Sequence, residues 1–506
     1  MMKKLHILPV LLLGWCLLGF SACDSPVQPE VTDENRTYTG VNYFAANCMS
    51  LYYLWSEEID GQLTRWLSRE LETDPIRKVK EIRYKQNGKD FDRWTEVTDD
   101  YEAFTSGVEG VSTTYGCDIV LMRLDDTHVC AVVTIVYKNS PAEKAGLKRG
   151  DIIVQVNGSP MTTRDYYSII TEKFLYSSQC NITLLDTATG NLGKKISMNA
   201  VSMYEDPVVY HTIFDIDGKK VGYLVFTSFT LKAIDTLLDV FEQFRNAGIS
   251  ELILDLRYNG GGYVKTEEVL ASMLAPKANV QAGDLFEQEI YNKALTEYYI
   301  KENGQNALKT FFQTSFTWKD EGFDCTCDTR ASHVNLDKLY AIIDSGTASA
   351  SESILVGLMP YMDVTLIGQQ SHGKFCTGIM YGAEEWYDDY KQDMGADLYS
   401  YKKDVTNWGL YVMIGRYGDC NGNCPAMPDG LKPDFISEDR PDLGYGFGDE
   451  RDPMLRQALI LAGRTDLKTA STRAVEVPAP DRMSRQVIKP VFGKRIRTDL
   501  VDGIKE

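Results

Sequence analysis

Apolar positions along the chain follow three successive periods. Between Asn42 and Glu96, aromatic and aliphatic residues recur at helical spacing (NYFAANCMSLYYLWSEEIDG), which predicts a small helical domain over residues 41–105 with Trp55, Tyr52 and Tyr53 in its core. From Val108 to Asn199 the period shortens. YGCDIVLMRL, VCAVVTIVY, DIIVQV and CNITLLD read as strands, with a Pro-started helix at Pro141 and a helical stretch in DYYSIITEKF. From Asp206 to Gly463, short apolar runs (KVGYLVFTSF, ELILDLRYNGGG, LYAIIDSG, DVTLIGQ) alternate with amphipathic helices (AIDTLLDVFEQFRNAG, TEEVLASMLA, SESILVGLM), which predicts an α/β layered core. Lys277 to Asn335 is aromatic and polar without a clean period and reads as an insertion. The expected fold class is multi-domain α/β: a small helical N-terminal domain (41–105), a strand-rich domain (106–200), an α/β core (201–465, insertion at about 277–335) and a charged, Pro- and Thr-containing tail (466–506).

Length agrees with this division, because 506 residues exceed what one hydrophobic core organises. With 72 acidic against 53 basic residues the net charge is −19, which argues against a nucleic-acid partner. The N-terminus, MMKKLHILPVLLLGWCLLGFSAC, has two lysines, a Pro-interrupted apolar run too short for a good membrane span, and small residues ahead of Cys23. Residues 1–22 therefore read as an export signal. FSAC resembles the bacterial lipoprotein signal, in which cleavage before the cysteine leaves a thiol that is lipidated; Phe20 departs from the smaller aliphatic residue usual there. The expectation is a cell-envelope lipoprotein, attached to the membrane by lipid on Cys23 and a polar tether (23–40), with its body periplasm-facing or surface-exposed. Nine cysteines remain beyond Cys16 and Cys23. Cys325/Cys327 and Cys420/Cys424 form local pairs whose spacings are not those of zinc knuckles, so disulfides or unpaired thiols are expected, with no metal and no cofactor.

SPAEKAGLKRGDIIVQVNG (Ser140–Gly158) resembles the core of a PDZ domain. Pro141 starts its helix, Gly146 ends it, and Gly150-Asp151 turns into a buried strand. The resemblance implies a site that takes a peptide as an added strand and holds its terminal carboxylate. The matching loop and strand are TYGCDIVL, which places peptide binding on Tyr115, Gly116, Cys117 and Ile119; Thr114 stands where a glycine is common.

DSGTASASESILVGL (Asp344–Leu358) is a turn of small residues between a buried strand and a helix. Small residues let backbone amides approach a ligand, and the helix N-terminus adds unpaired N–H groups and a positive dipole end. Ser349-Ala350-Ser351-Glu352 also fits a capping box, which requires no chemistry. A second motif, IGQQSHGKFCTG, follows the next strand. The two motifs together resemble peptidase family S41, the carboxy-terminal processing serine peptidases: Lys374 lies 25 positions after Ser349, as base lies after nucleophile in that family. ELILDLRYNGGG, the preceding PDZ segment and GLKPD (Gly430–Asp434) extend the resemblance.

The resemblance implies a serine endopeptidase acting on protein or peptide substrates with free C-termini. Ser349 is its nucleophile, with Ser351 and Ser353 the rival serines, and a neutral Lys374 is its base. The Ala350 and Gly261 amides form the oxyanion hole, with Gly260 and Gly262 as neighbouring candidates. Burial would favour the uncharged amine. His372 is the rival base. Two positions depart from the family pattern: Gly378 stands where many members orient the lysine with glutamine, and Pro360 where others carry an aspartate. Asp363, Glu384 and Glu385 are nearby acids without an assigned role. The alternative reading is a PDZ-containing peptide-binding scaffold of the same fold with weakened catalysis.

Overall fold

The computed structural model describes residues 33–320, 323–472 and 495–496. The expected export signal, Cys23, most of the expected tether and most of the expected tail lie outside the described residues. Among those described, no helix is long and apolar enough to cross a membrane.

The core is built on a six-stranded sheet in the order 208–216, 219–226, 251–255, 338–343, 363–368, 435–436. The first pair is antiparallel and the rest run parallel, with Glu251 opposite Lys338 and Asp255 opposite Ile342. Both faces of this sheet are covered, so its strands are continuous apolar runs rather than alternating ones; Leu252, Ile253, Leu254, Leu339, Ala341 and Ile342 are all fully buried. Loops that leave the carboxyl ends of adjacent parallel strands converge, the usual place for a site in such a sheet. Here they are the loop after 251–255 and the turn after 338–343.

A second sheet carries 262–263, 495–496, 376–382, 409–419, 285–291 and 309–311 in that order, with 96–98 pairing on 409–411. The strand Arg495–Ile496 pairs with Gly262–Tyr263 on one side and Gly378 on the other.

The PDZ segment is an antiparallel sheet ordered 191–199, 179–186, 152–156, 129–136, 117–123, flanked by helices at Pro141–Lys144 and Tyr166–Ile170, the latter continued by a π-helical turn at Thr171–Leu175. Its ingoing and outgoing strands, Val111–Thr114 and Val201–Tyr204, pair with each other, so the segment leaves and rejoins the core at one place.

Two expectations change. The first helix, Asp33–Tyr52, begins within the stretch expected to be tether, and the helical region does not close its own core: Phe44, Tyr53, Trp55 and Trp66 pack into the same apolar cluster as Leu254, Ile354 and Tyr411. The expected insertion supplies a central strand, Leu285–Tyr291. Its inward positions include Glu287 and Glu289, buried and hydrogen-bonded to Ser353 and Tyr291, and these charges broke the apolar alternation.

Candidate active site

The turn that carries Ser349 is strained. Ser349 has φ 63° and ψ −119°, in the left-handed half of backbone space that a non-glycine residue occupies at a cost of about 1–3 kcal/mol. It is the N-cap of the helix Ala350–Leu358, all of whose residues are buried. Only the carboxylate arm of the expected cap is seen: Ser349 N–H donates to Glu352 Oε2 (3.0 Å), while Ser349 Oγ is buried with no hydrogen-bond partner among the described residues. Its rivals are occupied. Ser351 Oγ donates to the Asn259 carbonyl (3.0 Å) and Ser353 Oγ to Glu287 (2.7 Å).

The glycine loop is locked against this turn. Ala348 N–H donates to the Asn259 carbonyl (3.0 Å), and Thr347 Oγ1 to the Leu256 carbonyl (2.8 Å). Gly261 has φ 98°, and a Cβ there would stand 2.8 Å from Ser349 Cβ and 2.9 Å from Ala350 N, so no larger residue fits. Gly261, Ser349 and Ala350 are thus in mutual contact. As the first helical residue, Ala350 has an N–H without an intrahelical acceptor. The Gly261 N–H donates to Asn259 Oδ1 at 2.9 Å.

Lys374 is fully buried, and its Nζ donates to Tyr411 Oη (2.9 Å) and lies 4.8 Å from that ring's centroid. Glu352 joins the two motifs. Besides Ser349 N–H it accepts Lys374 N–H at Oε2 (2.8 Å), Gly373 N–H at Oε1 (2.7 Å) and the Ser371 hydroxyl. Burial raises the Glu352 carboxyl above the usual range against these donors. Leu431 N–H donates to Ser371 Oγ (2.6 Å), which is how GLKPD supports the lysine loop.

His372 donates its backbone N–H to the Thr347 carbonyl (2.9 Å), while its ring stands near Trp94. Burial, Arg93 and Lys374 together push the imidazole down to about 4. Asp363 sits at the far, N-terminal end of its strand, paired with Lys338 (2.8 Å). Glu384 and Glu385 are on the helix Ala383–Asp389 beyond the lysine strand. Cys420 is a free thiol, so the 420/424 pair is not bonded.

A cavity of about 650 Å³ connects the two halves of the molecule. It is lined by Gly260, Gly261 and Gly262 on the core side and by Asp118, Ile119 and Tyr137 on the PDZ side. Strand Cys117–Arg123 is the edge of its sheet and can take an added strand. Of the expected peptide-binding residues, Tyr115, Cys117 and Ile119 are buried, and Gly116 (φ 74°) is fixed by a close approach to Ser140.

Residues 220–437 match the profile of peptidase family S41, and residues 132–170 that of a PDZ domain. The core is an S41 peptidase domain. The chain is 24% identical over 276 residues to the Bacillus subtilis (strain 168) carboxy-terminal processing protease CtpB, a match covering 54% of this chain and 48% of the relative. It is 24% identical to CtpA of the same strain over 256 residues, covering 50% of this chain and 45% of that protein. The chain thus spans about half the length of these curated relatives. A solved Bacteroides fragilis NCTC 9343 structure named for S41 proteases superposes with a TM-score of 0.62 at 21% identity, covering 83% of this chain and 97% of that one, and so shares the fold. In this S41 core, sequence reasoning saw Glu352 only as a helix cap and missed Ser371, Tyr411 and Tyr417. Tyr417 donates its hydroxyl to the Lys374 carbonyl (3.1 Å). Neither tyrosine carries a chemical motif; each is one apolar-looking position on the long strand Gly409–Asp419.

Proposed function

We propose that the chain is an exported serine endopeptidase of the carboxy-terminal processing type, with Ser349 and Lys374 as a catalytic dyad. The observation that carries this reading is Ser349 itself: a strained residue at a helix N-terminus whose hydroxyl alone, among the three serines of SASES, is unpartnered. Neutral Lys374 takes the Ser349 proton as Oγ bonds to the scissile carbonyl carbon. The tetrahedral oxyanion is met by the Ala350 N–H and an amide of the Gly260–Gly262 loop. Collapse breaks the C–N bond, and the ammonium returns the proton to the leaving amine. Water, deprotonated by the same amine, then hydrolyses the acyl-serine. An oxyanion donor of this kind contributes about 3 kcal/mol to the barrier.

In this reading the PDZ edge strand binds substrate C-termini, and lipid on Cys23 attaches the protein to the envelope membrane. The second reading, a peptide-binding scaffold with weakened catalysis, is favoured by one observation: Lys374 Nζ and the Gly261 N–H both have other partners. Incubating an unfolded protein with wild type, Ser349→Ala, Lys374→Ala and His372→Ala separates the two. The dyad requires that the first two variants lose at least about 1,000-fold in rate while His372→Ala keeps most of it. Equal C-terminal peptide binding without cleavage by wild type selects the scaffold. Release of Cys23→Ser from the membrane fraction tests the anchor.

A further inference from the structure

The lysine loop of this chain lacks the side chain that the family pattern places four residues after the lysine, where Gly378 stands. The neighbouring strand fills that space. Strand Gly409–Asp419 runs antiparallel to Cys376–Gly382 with Gly378 opposite Met413. A Cβ built on Gly378 would lie 2.7 Å from Cε2 and 2.8 Å from Cζ of Tyr411, and 2.6 Å from Cε of Met413. Gly378 therefore owes its lack of a side chain to the tyrosine ring and not to a backbone demand, since its φ is not in the left-handed region. The same ring is 1% exposed, and its Oη accepts from Lys374 Nζ at 2.9 Å.

From this arrangement we infer that Tyr411 is the positioning residue for Lys374, delivered across the sheet into the space that Gly378 leaves open. The inference rests on the Ser349/Lys374 reading. A neutral lysine amine has two N–H donors and one lone pair, and rotation about Cε–Nζ sweeps that lone pair around a cone. Engaging one N–H with a fixed phenolic oxygen removes most of that freedom. Tyr411 is itself held on both sides, by the Phe104 ring at 6.0 Å and by backbone pairing with Met380 and Glu96. The other groups around the lysine hold its backbone: Glu352 takes its N–H and Tyr417 its carbonyl. Tyr411 is a side chain that bonds its amine.

The test uses the full-length chain with four variants: Tyr411→Phe, Tyr411→Ala, Gly378→Gln, and Tyr411→Ala combined with Gly378→Gln. Readouts are kcat and KM on an unfolded protein, the rate of Ser349 labelling by a fluorophosphonate, and thermal unfolding. Tyr411→Phe keeps the ring, so melting and KM should stay near wild type while kcat and labelling fall ten- to a hundredfold. Gly378→Gln alone should clash with the ring and lose activity. The double variant should recover at least tenfold over Tyr411→Ala, because glutamine then enters the vacated space and accepts from Nζ. Wild-type kcat in Tyr411→Phe, or a folded double variant no faster than Tyr411→Ala, overturns the inference. If the alanine variants do not fold, Tyr411→Phe decides alone. Should wild type neither cleave nor label, the peptidase reading fails on its own account. The crystal structure of Tyr411→Phe then decides this one: Nζ displaced by roughly an N–H···O hydrogen-bond length, about 3 Å, supports it, and an unmoved Nζ overturns it.

Discussion

Two buried polar clusters lie on either side of the glycine loop and are satisfied by opposite means. At the seam between PDZ segment and core, Arg257 is fully buried and bridges Asp255 (2.7 Å), Asp439 (3.0 Å) and Asp452 (3.0 Å). Arg149 enters from the PDZ side with a side chain 6% exposed, bridging Asp439 (3.0 Å) and donating to Tyr258 Oη (3.0 Å). Two guanidiniums thus meet three carboxylates. Glu352, by contrast, is held by three backbone N–H groups and one hydroxyl. Charge pairing fixes two domains together, although burial still raises the Asp255 carboxyl above the usual range. Amide donors fix the position of one carboxylate to within a hydrogen bond, but leave its proton affinity exposed to the penalty of burial.

If that contrast holds, Arg257→Met should be the most damaging change. It strands buried carboxylates, and about 3–5 kcal/mol of stability should disappear in urea unfolding. A loss below about 1 kcal/mol would break the comparison. Glu352→Gln comes next, at about 2–3 kcal/mol, since one amide oxygen cannot accept from four donors. Arg149→Met should cost about 1–3 kcal/mol, because Arg257 still compensates part of the charge. Limited proteolysis should show cleavage at the two connecting strands, 111–114 and 201–204, before the core is cut.

The smallest effect concerns pH. His372 is held down to about 4, so the unfolded chain takes up this proton first as the pH falls. The stability it contributes above the ordinary histidine value of about 6.5 drains as the pH drops towards 4, by up to about 2 kcal/mol after allowance for its partial exposure. His372→Gln should flatten the urea midpoint across that window. Glu352 acts with the opposite sign. Its raised carboxyl lets the folded chain bind the proton more readily, so its contribution is lost as the pH rises above the ordinary glutamate range.

The architecture was legible wherever apolar positions ran on unbroken, as in ELILDL, KLYAII and the PDZ strand VCAVVTIV, or recurred at helical spacing. The meeting of Ser349 with Gly261 was legible only through the family resemblance; it comes about because both follow the carboxyl ends of neighbouring strands. What escaped reading depended on contacts between distant segments. Leu285–Tyr291 hides its strand character behind Glu287 and Glu289, whose partners Ser353 and Thr377 are visible only once folded. The helices from Asp33 onward look self-sufficient by periodicity, yet their apolar faces complete the peptidase core. Tyr411 is 37 positions from the lysine it touches, and nothing in GLYVMIGRY marks it.

The Glu352 carboxylate has one oxygen on the serine's amide and the lysine's amide together, which ties the two backbones to a single atom. If Ser349 and Lys374 form the proposed dyad, a displacement of either backbone is felt by the other through that one atom.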